Sequence, residues 1–448
     1  MIYLASQTEE FLAALPKKFK IYHNRSKKNP KKYIELLAAF DTESTSYKVG
    51  ETKTAWTYVW MLAIEDNIIL GRTLDEFEAF TDRLAEYLEL RPNQDEDPGQ
   101  MLAIYIHNEA FDFQFIKDRF LWKDVFALDN RKPVRALAAN GIEFRCSYVL
   151  SGLSLANLPI KDSDIKKLVG GLEYGKIRHS ETPLTQKEID YCCADVAVII
   201  QYIREKLRDN KDNLAKIPMT RTGYVRRDVR RKCLKSENYK RLMKSLTITL
   251  EQYHKLKKVF QGGFTHANIH YANITLENVD SYDFTSSYPA VMVSEKYPMS
   301  PFMRYVPQSD EDFYNQLDKF ACMFKLELFN VSPKLDWDNP ISLSKCVAIS
   351  DEQHREINNG RVRKADYLAI YVNEVDFRVI EQFYNFDKTP GLQTHFKVSE
   401  FERAYKDYLP LEYMLAVLEY YELKTTKKHV EGEEVMYEKY KEFVNSLY

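Results

Sequence analysis

Tyr33-Ile34-Glu35-Leu36-Leu37-Ala38-Ala39-Phe40-Asp41-Thr42-Glu43 is the stretch on which the fold turns. A short apolar run that closes on acid reads as a buried strand delivering charge at its far end. Asp41 and Glu43 stand two residues apart, so an extended backbone presents both carboxylates on one face. Downstream, Ala55–Glu65 and Asn67–Gly71 read as strands joined at Glu65-Asp66-Asn67. Leu74–Leu90 has helical apolar spacing, residues 91–100 form a polar loop, and Met101–Ile106 is a buried strand feeding a helix from Asn108. Glu143–Val149 reads as a strand. Thr185–Lys206 reads as a long helix opened by the capping pair Thr185 and Glu188. Strands alternating with helices predict an α/β domain ending near Leu207.

Beyond Leu207 the pattern changes. Arg226, Arg227, Arg230, Arg231, Lys232, Lys235, Lys240 and Arg241 face only Asp228 and Glu237, within a chain whose net charge is -2. A basic helical connector of this kind, running to about Lys258, can follow a phosphate backbone or serve as a solvated helix surface. Gly262-Gly263 comes next, then a strand ending at Asp283. Residues 300–410 mix short strands, turns and helices, and residues 411–448 form two helices joined at Val430-Glu431-Gly432-Glu433. On the last helix Lys441, Asn445 and Tyr448 share one face, since positions three and four apart are neighbours.

Composition narrows the field. A chain of 448 residues exceeds one ordinary core. Its 31 Tyr and 25 Phe give many rings for packing or for base stacking. The six cysteines form no Cys-x-x-Cys pair, which argues against zinc and for a reducing compartment. Met1–Pro16 has no signal-peptide pattern, and no apolar run is long enough to span a bilayer, so no membrane partner is expected.

Three acidic motifs carry the chemistry. After Asp41-Thr42-Glu43 comes Asn108-Glu109-Ala110-Phe111-Asp112, which follows a strand so that Asp112 can face the sheet end. Tyr191-Cys192-Cys193-Ala194-Asp195 is the third, with one helical turn between hydroxyl and carboxylate. Any one alone is common as a cap or a solvated turn. Together they supply four carboxylates without His or Cys, a donor set suited to two Mg²⁺ or Mn²⁺ ions. Such a pair activates water and relieves charge on the leaving oxygen of a phosphodiester. Asp41, Glu43, Asp112 and Asp195 are the expected ligands, with Tyr191 orienting the water, which makes an exonuclease site.

These motifs resemble the protein-primed family B DNA polymerases of bacteriophages, of the organellar and viral type, with their DEDDy proofreading exonuclease. The likeness runs from about Tyr33 to Tyr448. It implies a ribonuclease H-like α/β exonuclease over residues 1–207 and a basic helical connector over 208–258. An incomplete α+β palm over 259–299, an insertion resembling the terminal-protein region over 300–410, and helical fingers over 411–448 would follow. By the resemblance Asn108, Phe111, Ser154, Leu155 and Tyr174 hold the 3′ end of a strand, although Phe111 equally suits core packing. The exonuclease lysine stays unassigned near Val169, with Lys166, Lys167 and Lys176 around it.

Phe260-Gln261-Gly262-Gly263 resembles the family's Tyr-x-Gly-Gly linker, where Gly262 and Gly263 would let the backbone approach DNA. Asp283-Phe284-Thr285-Ser286-Ser287-Tyr288-Pro289 is similar to polymerase motif A. The resemblance makes Asp283 a metal ligand and sets Tyr288 under the incoming sugar. Lys441, Asn445 and Tyr448 resemble motif B, meeting the dNTP triphosphate and the nascent base pair. Motif C, an Asp-Thr-Asp, has no counterpart in residues 1–448. The expectation is a truncated, monomeric polymerase chain of the bacterial host cytoplasm, partnered by primer-template DNA, dNTP and a terminal protein. Its exonuclease would work and its templated synthesis would be undetectable. The rivals are a stand-alone DEDDy 3′–5′ exonuclease and a non-catalytic remnant that binds DNA or terminal protein.

Overall fold

The computed structural model describes residues 1–24, 26, 29–161, 173, 175–335, 339–387 and 396–447. The chain divides into two compact units, Met1–Val225 and Arg226–Tyr448.

In the first unit the strands are β1 (Ile2–Leu4), β2 (Ile21–His23), β3 (Lys32–Ile34), β4 (Ala38–Val49), β5 (Thr52–Ile64), β6 (Asn67–Gly71), β7 (Leu102–Ile106), β8 (Trp122–Asp129), β9 (Lys132–Ala138) and β10 (Ile142–Cys146). Eight of them form one sheet in the order β1-β6-β5-β4-β7-β10-β9-β8, while β2 and β3 pair separately. The sheet is mixed: β4 runs antiparallel to β5 and parallel to β7. The helices are α1 (Thr8–Ala13), α2 (Leu74–Tyr87), α3 (Glu109–Ile116), α4 (Ser147–Ser151) and α5 (Gln186–Asp209).

Side-chain alternation along β4 sends successive residues to opposite faces. Phe40 joins Phe77, Trp60 and Ile104 in one apolar layer, and Ala39 joins Ile199, Ile203 and Tyr105 in the other. The long helix α5 covers this second face. Its cap is reciprocal: Thr185 Oγ1 accepts the Glu188 amide, and the Glu188 carboxylate accepts the Thr185 amide at 2.8 Å. Leu214, Ile217 and Tyr224 bury against the same layer, which carries the first unit past Leu207 to Val225. Gly71 is required by close approach, because a Cβ there would sit 2.3 Å from the Trp60 ring.

Three features of this unit differ from the sequence expectation. The strand expected over Glu143–Val149 stops at Cys146, and α4 begins at Ser147. The strand that holds Asp41 starts at Ala38 and continues to Val49, so Asp41 and Glu43 lie within it rather than at its end. Residues 122–138 form a β8–β9 hairpin at the sheet edge that the sequence pattern did not signal. The residues of β8 are mostly exposed, so it lacks the in-out alternation by which strands are recognised.

Helix α6 (Arg221–Cys233) leads into the second unit, followed by α7 (Glu237–Ser245), α8 (Leu250–Val259) and α9 (Ser287–Ser294). The strands here are β11 (Tyr297–Pro298), β12 (Met303–Arg304), β13 (Phe320–Pro333), β14 (Cys346–Ile349), β15 (Arg355–Asn358), β16 (Arg361–Asn373), β17 (Tyr384–Asn385) and β18 (Phe396–Asp407). Their backbone is the antiparallel order β11-β18-β13-β16-β14. Helices α10 (Asp310–Lys319) and α11 (Glu374–Phe383) bury Phe313 and Phe377 against Phe324 and Phe401 of this sheet. The last two helices, α12 (Leu411–Lys427) and α13 (Glu434–Asn445), form the expected hairpin, with Tyr420 edge-on to Phe443 at 5.2 Å.

The strand expected to end at Asp283 is not formed. Residues 272–286 contain no strand, and Val279, Tyr282 and Phe284 are exposed. A strand needs a ladder partner to satisfy its backbone, and no described strand lies alongside this segment.

Candidate metal centre

The pairing of β4 with β7 ends at Phe40 opposite Ile106. Asp41 and Glu43 therefore project past the end of β7, where the chain turns into α3. A register shift between Glu43 and Ser44 marks a bulge in the β4–β5 ladder, a device that re-aims side chains beside functional sites. From the other side α5 presents Asp195. One carboxylate oxygen from each of Asp41, Glu43 and Asp195 can be chosen so that all lie within 4.8 Å of one another. Glu43 and Asp195 are buried and Asp41 is half-buried. Three hard oxygen donors this close repel each other unless a cation sits between them, and the donor set fits Mg²⁺ or Mn²⁺.

Asp112, the fourth expected ligand, is placed differently. Its Oδ1 accepts the Thr42 hydroxyl at 2.6 Å and the Thr42 amide at 3.2 Å. Thr42 lies between Asp41 and Glu43, so its side chain points to the opposite face of β4. Asp112 is thus one residue from the cluster but is not among the three groups that converge. Burial raises its carboxyl to about 7, against the lowering by the Thr42 hydrogen bonds. Thr42 as the anchor of Asp112 was missed because a Thr between two acids carries no periodic signal.

Tyr191, one turn before Asp195 on α5, is buried. Asn108 adopts a left-handed backbone with φ 65° as it opens α3, which Asn tolerates better than most residues. Phe111 is 47% exposed and meets Phe115 edge-on, so it is not a core residue. Ser154 is exposed at the start of a short 3-10 turn, and Leu155 packs partly against the α5 face of the sheet. Tyr174, Lys166, Lys167 and Val169 lie outside the described residues. Lys176 is exposed beside Arg178, whose guanidinium is held by Glu188 at 2.7 Å. Hydrogen bonds from the Thr185 backbone, then the Arg178 cation, keep Glu188 at about 2.

A second buried acid near the site was not foreseen. Glu109, next to Asn108, is fully buried, and neither carboxylate oxygen has a hydrogen-bond partner among the described residues. Burial raises it to about 8, helped by the charges of Glu143 and Asp112.

The expected nucleotide-binding residues of the second unit are scattered over exposed positions. Asp283 is exposed and belongs to no cluster of three potential ligands among the described residues. Tyr288, in the first turn of α9, is 58% exposed. Lys441 and Asn445 lie one turn apart on the open face of α13, with Lys441 near Glu438 at 3.2 Å. Tyr448 is outside the described residues. Gly262 has φ 76°, where a side chain would be strained, while Gly263 has open space around it. Part of the basic stripe is spent internally: Lys232 pairs with Glu419 at 2.9 Å and lies over the Tyr420 ring.

The fold matches that of a DNA polymerase. The solved structure of Phi29 DNA polymerase complexed with single-stranded DNA superposes with a TM-score of 0.62, covering 92% of this chain and 67% of that one at 15% identity. Its ternary complex with primer-template DNA and incoming nucleotides gives 0.58 over the same shares. The family described as DNA polymerase type B, organellar and viral, matches residues 154–448, and this chain belongs to it. The DNA polymerases of Bacillus phage M2 and Bacillus phage Nf are each 21% identical over 394 residues, 82% of this chain. The chain spans 62% of the length of each of these relatives.

Proposed function

We propose that the first unit is a 3′–5′ exonuclease of a protein-primed type B DNA polymerase, hydrolysing phosphodiesters at a DNA end. The observation that carries this reading is the convergence of Asp41, Glu43 and Asp195 within 4.8 Å at the end of β7. When bound there, divalent ions would supply an activated water and charge relief for the leaving oxygen. Asp41, Glu43 and Asp195 would hold them. Asp112, fixed by Thr42, lends a further carboxylate beside the pair. Tyr191, one turn before Asp195 on α5, would orient the attacking water, and the exposed ring of Phe111 would offer a stacking surface for the terminal base.

For the second unit we propose a nucleotide-binding role in the whole polymerase, with Asp283, Tyr288, Lys441, Asn445 and Tyr448 toward dNTP and Gly262 and Gly263 toward DNA. A terminal protein as primer and the host cytoplasm as the place of action belong to the same proposal. Among the described residues Asp283 belongs to no cluster of three potential ligands, and motif C has no counterpart in the sequence, so the 448-residue chain is expected to show no primer extension.

The test uses a single strand with a 3′ label, the purified 448-residue chain, and Mg²⁺ or Mn²⁺. Label release should depend on the metal and fall at least ~10³-fold in Asp41→Ala and in Asp195→Ala. Release that survives both substitutions overturns the assignment. Complete inactivity of the wild-type chain that still binds the strand would favour the non-catalytic remnant.

A further inference from the structure

A groove of about 830 Å³ opens on the first unit, away from the metal centre. Leu37 at its wall precedes Asp41 by four residues, roughly 13 Å along a strand. Leu207 follows Asp195 by twelve, roughly 18 Å along a helix. The groove therefore sits at the opposite ends of β4 and α5, and none of the nuclease residues lines it.

Its chemistry has two layers. The floor is aliphatic, with Leu36 and Leu214 buried and Leu207 half-buried. The rim carries Lys18, Lys20, Arg204, Arg208 and Lys211 against Glu35, Glu65 and Asp212. Two of those acids are already engaged. Glu35 accepts the Tyr22 hydroxyl at 2.6 Å, and Glu65 accepts the Leu37 amide at 2.7 Å and the Arg204 guanidinium at 3.2 Å. Arg208 pairs at 3.6 Å with Asp209, which does not line the groove and is held by Lys161 at 2.7 Å. Lys20 pairs with Glu35 at 3.9 Å, and Lys18, Arg208 and Lys211 outnumber the remaining lining acid, Asp212, so the rim is net positive.

The end of α5 does not oppose an anion here. Its last carbonyls are taken up locally: Lys206 O accepts Asn210 N, Arg208 O accepts Lys211 N, and Leu207 O accepts Asp212 N at 2.8 Å. A concave site of this size, apolar below and polar at the edge, is the usual form of a site that anchors a side chain.

We propose that this groove docks an acidic peptide segment of a partner protein, with an aliphatic or aromatic anchor on the leucine floor and its carboxylates on the lysine and arginine rim. Charge complementarity selects the acid, and the aliphatic floor selects peptide over nucleic acid. A DNA strand would leave the leucine floor without an apolar partner, whereas the anchor side chain of a peptide fills it. The proposal does not depend on the nuclease assignment.

The probe is a fluorescein-labelled heptapeptide, Asp-Asp-Glu-Asp-Leu-Leu-Phe, titrated with the 448-residue chain and followed by anisotropy. Saturable binding is expected, weakened at least ~10-fold by combined Lys18→Glu, Arg208→Glu and Lys211→Glu. Leu207→Asp should weaken it by a similar factor through the floor. The three charge positions are solvent-facing, and an unchanged melting temperature will show that the variant is folded. A control peptide with its four acids replaced by Lys should not bind. The proposal is overturned if the peptide fails to saturate at millimolar protein, or if the charge-reversed variant binds it equally well. An oligothymidylate that displaces the peptide and needs the same three cations would also overturn it, assigning the groove to nucleic acid.

Discussion

The two units hold their candidate chemistry in opposite ways. In the first, Asp41, Glu43 and Asp195 are gripped by a strand at the centre of an eight-stranded sheet and a helix packed on its face. In the second, Asp283 sits on an exposed segment without strand partners, and Lys441 and Asn445 lie on the open face of a helix. A carboxylate cluster is preorganised when flanking strands fix its backbone on both sides. Without that ladder the same residue type is only a solvated acid. The largest expected effect follows from this contrast. Asp41→Ala should remove metal-dependent degradation of a 3′-labelled strand by ~10³-fold or more, while Asp283→Ala leaves it within about twofold. Equal losses from the two would erase the distinction between the units.

The next effect concerns stability within the nuclease unit. Glu109 titrates near 8 when folded, against its ordinary value of 4.5, because it is buried without a hydrogen-bond partner among the described residues. A raised folded value means that the native state binds the proton more tightly than the unfolded chain does. Its contribution is therefore fully present below pH 4.5 and is lost as pH rises through about 8. Glu109→Gln should flatten this slope and stabilise the metal-free protein by roughly 3–5 kcal/mol at pH 9, with little change at pH 4. Urea unfolding with chelator at the two pH values measures it. A wild-type stability that rises from pH 5 to pH 8 would remove the buried acid from the account.

Much of the first unit was legible in the sequence because its signals are local. The apolar run that leads into Asp41, the Thr185–Glu188 cap, and three acidic motifs each lie within a few residues. The β8–β9 hairpin was not legible, since β8 is exposed beyond Trp122 and carries no alternating pattern. Nor was the placing of Asp112, which depends on which face of β4 the end of β7 leaves open. In the second unit the hairpin of α12 and α13 could be read from its periodicity and its Gly432 turn. The segment before Asp283 reads as a strand by composition, yet strand formation is a property of neighbours rather than of the segment itself.

Thr42 offers a finer probe of the ordered side. Its hydroxyl and amide are the hydrogen bonds that hold the Asp112 carboxylate. Thr42→Val keeps the β-branched shape and removes one donor, leaving a buried carboxylate oxygen short of a partner. The expected cost is about 1–3 kcal/mol of stability and a ~10-fold drop in metal-dependent degradation, as for other groups that position ligands. Thr42→Ser should restore most of both. Activity unchanged in Thr42→Val would separate Asp112 from the metal chemistry.

The smallest effect tests the exposed side of the comparison. Phe284 is 86% exposed and belongs to none of the apolar clusters among the described residues, whereas Phe324 is fully buried among Phe313, Phe377 and Phe401. Truncating a buried ring costs about 3–5 kcal/mol, through lost transfer energy and the cavity left behind. Truncating an exposed ring changes stability by no more than ~0.5 kcal/mol. Phe284→Ala should therefore leave the urea midpoint of the second unit in place while Phe324→Ala lowers it. If Phe284→Ala proves as costly as Phe324→Ala, the segment carrying Asp283 is packed in solution. It would then have a strand partner, and the difference between the two units would lie in their chemistry rather than in their order.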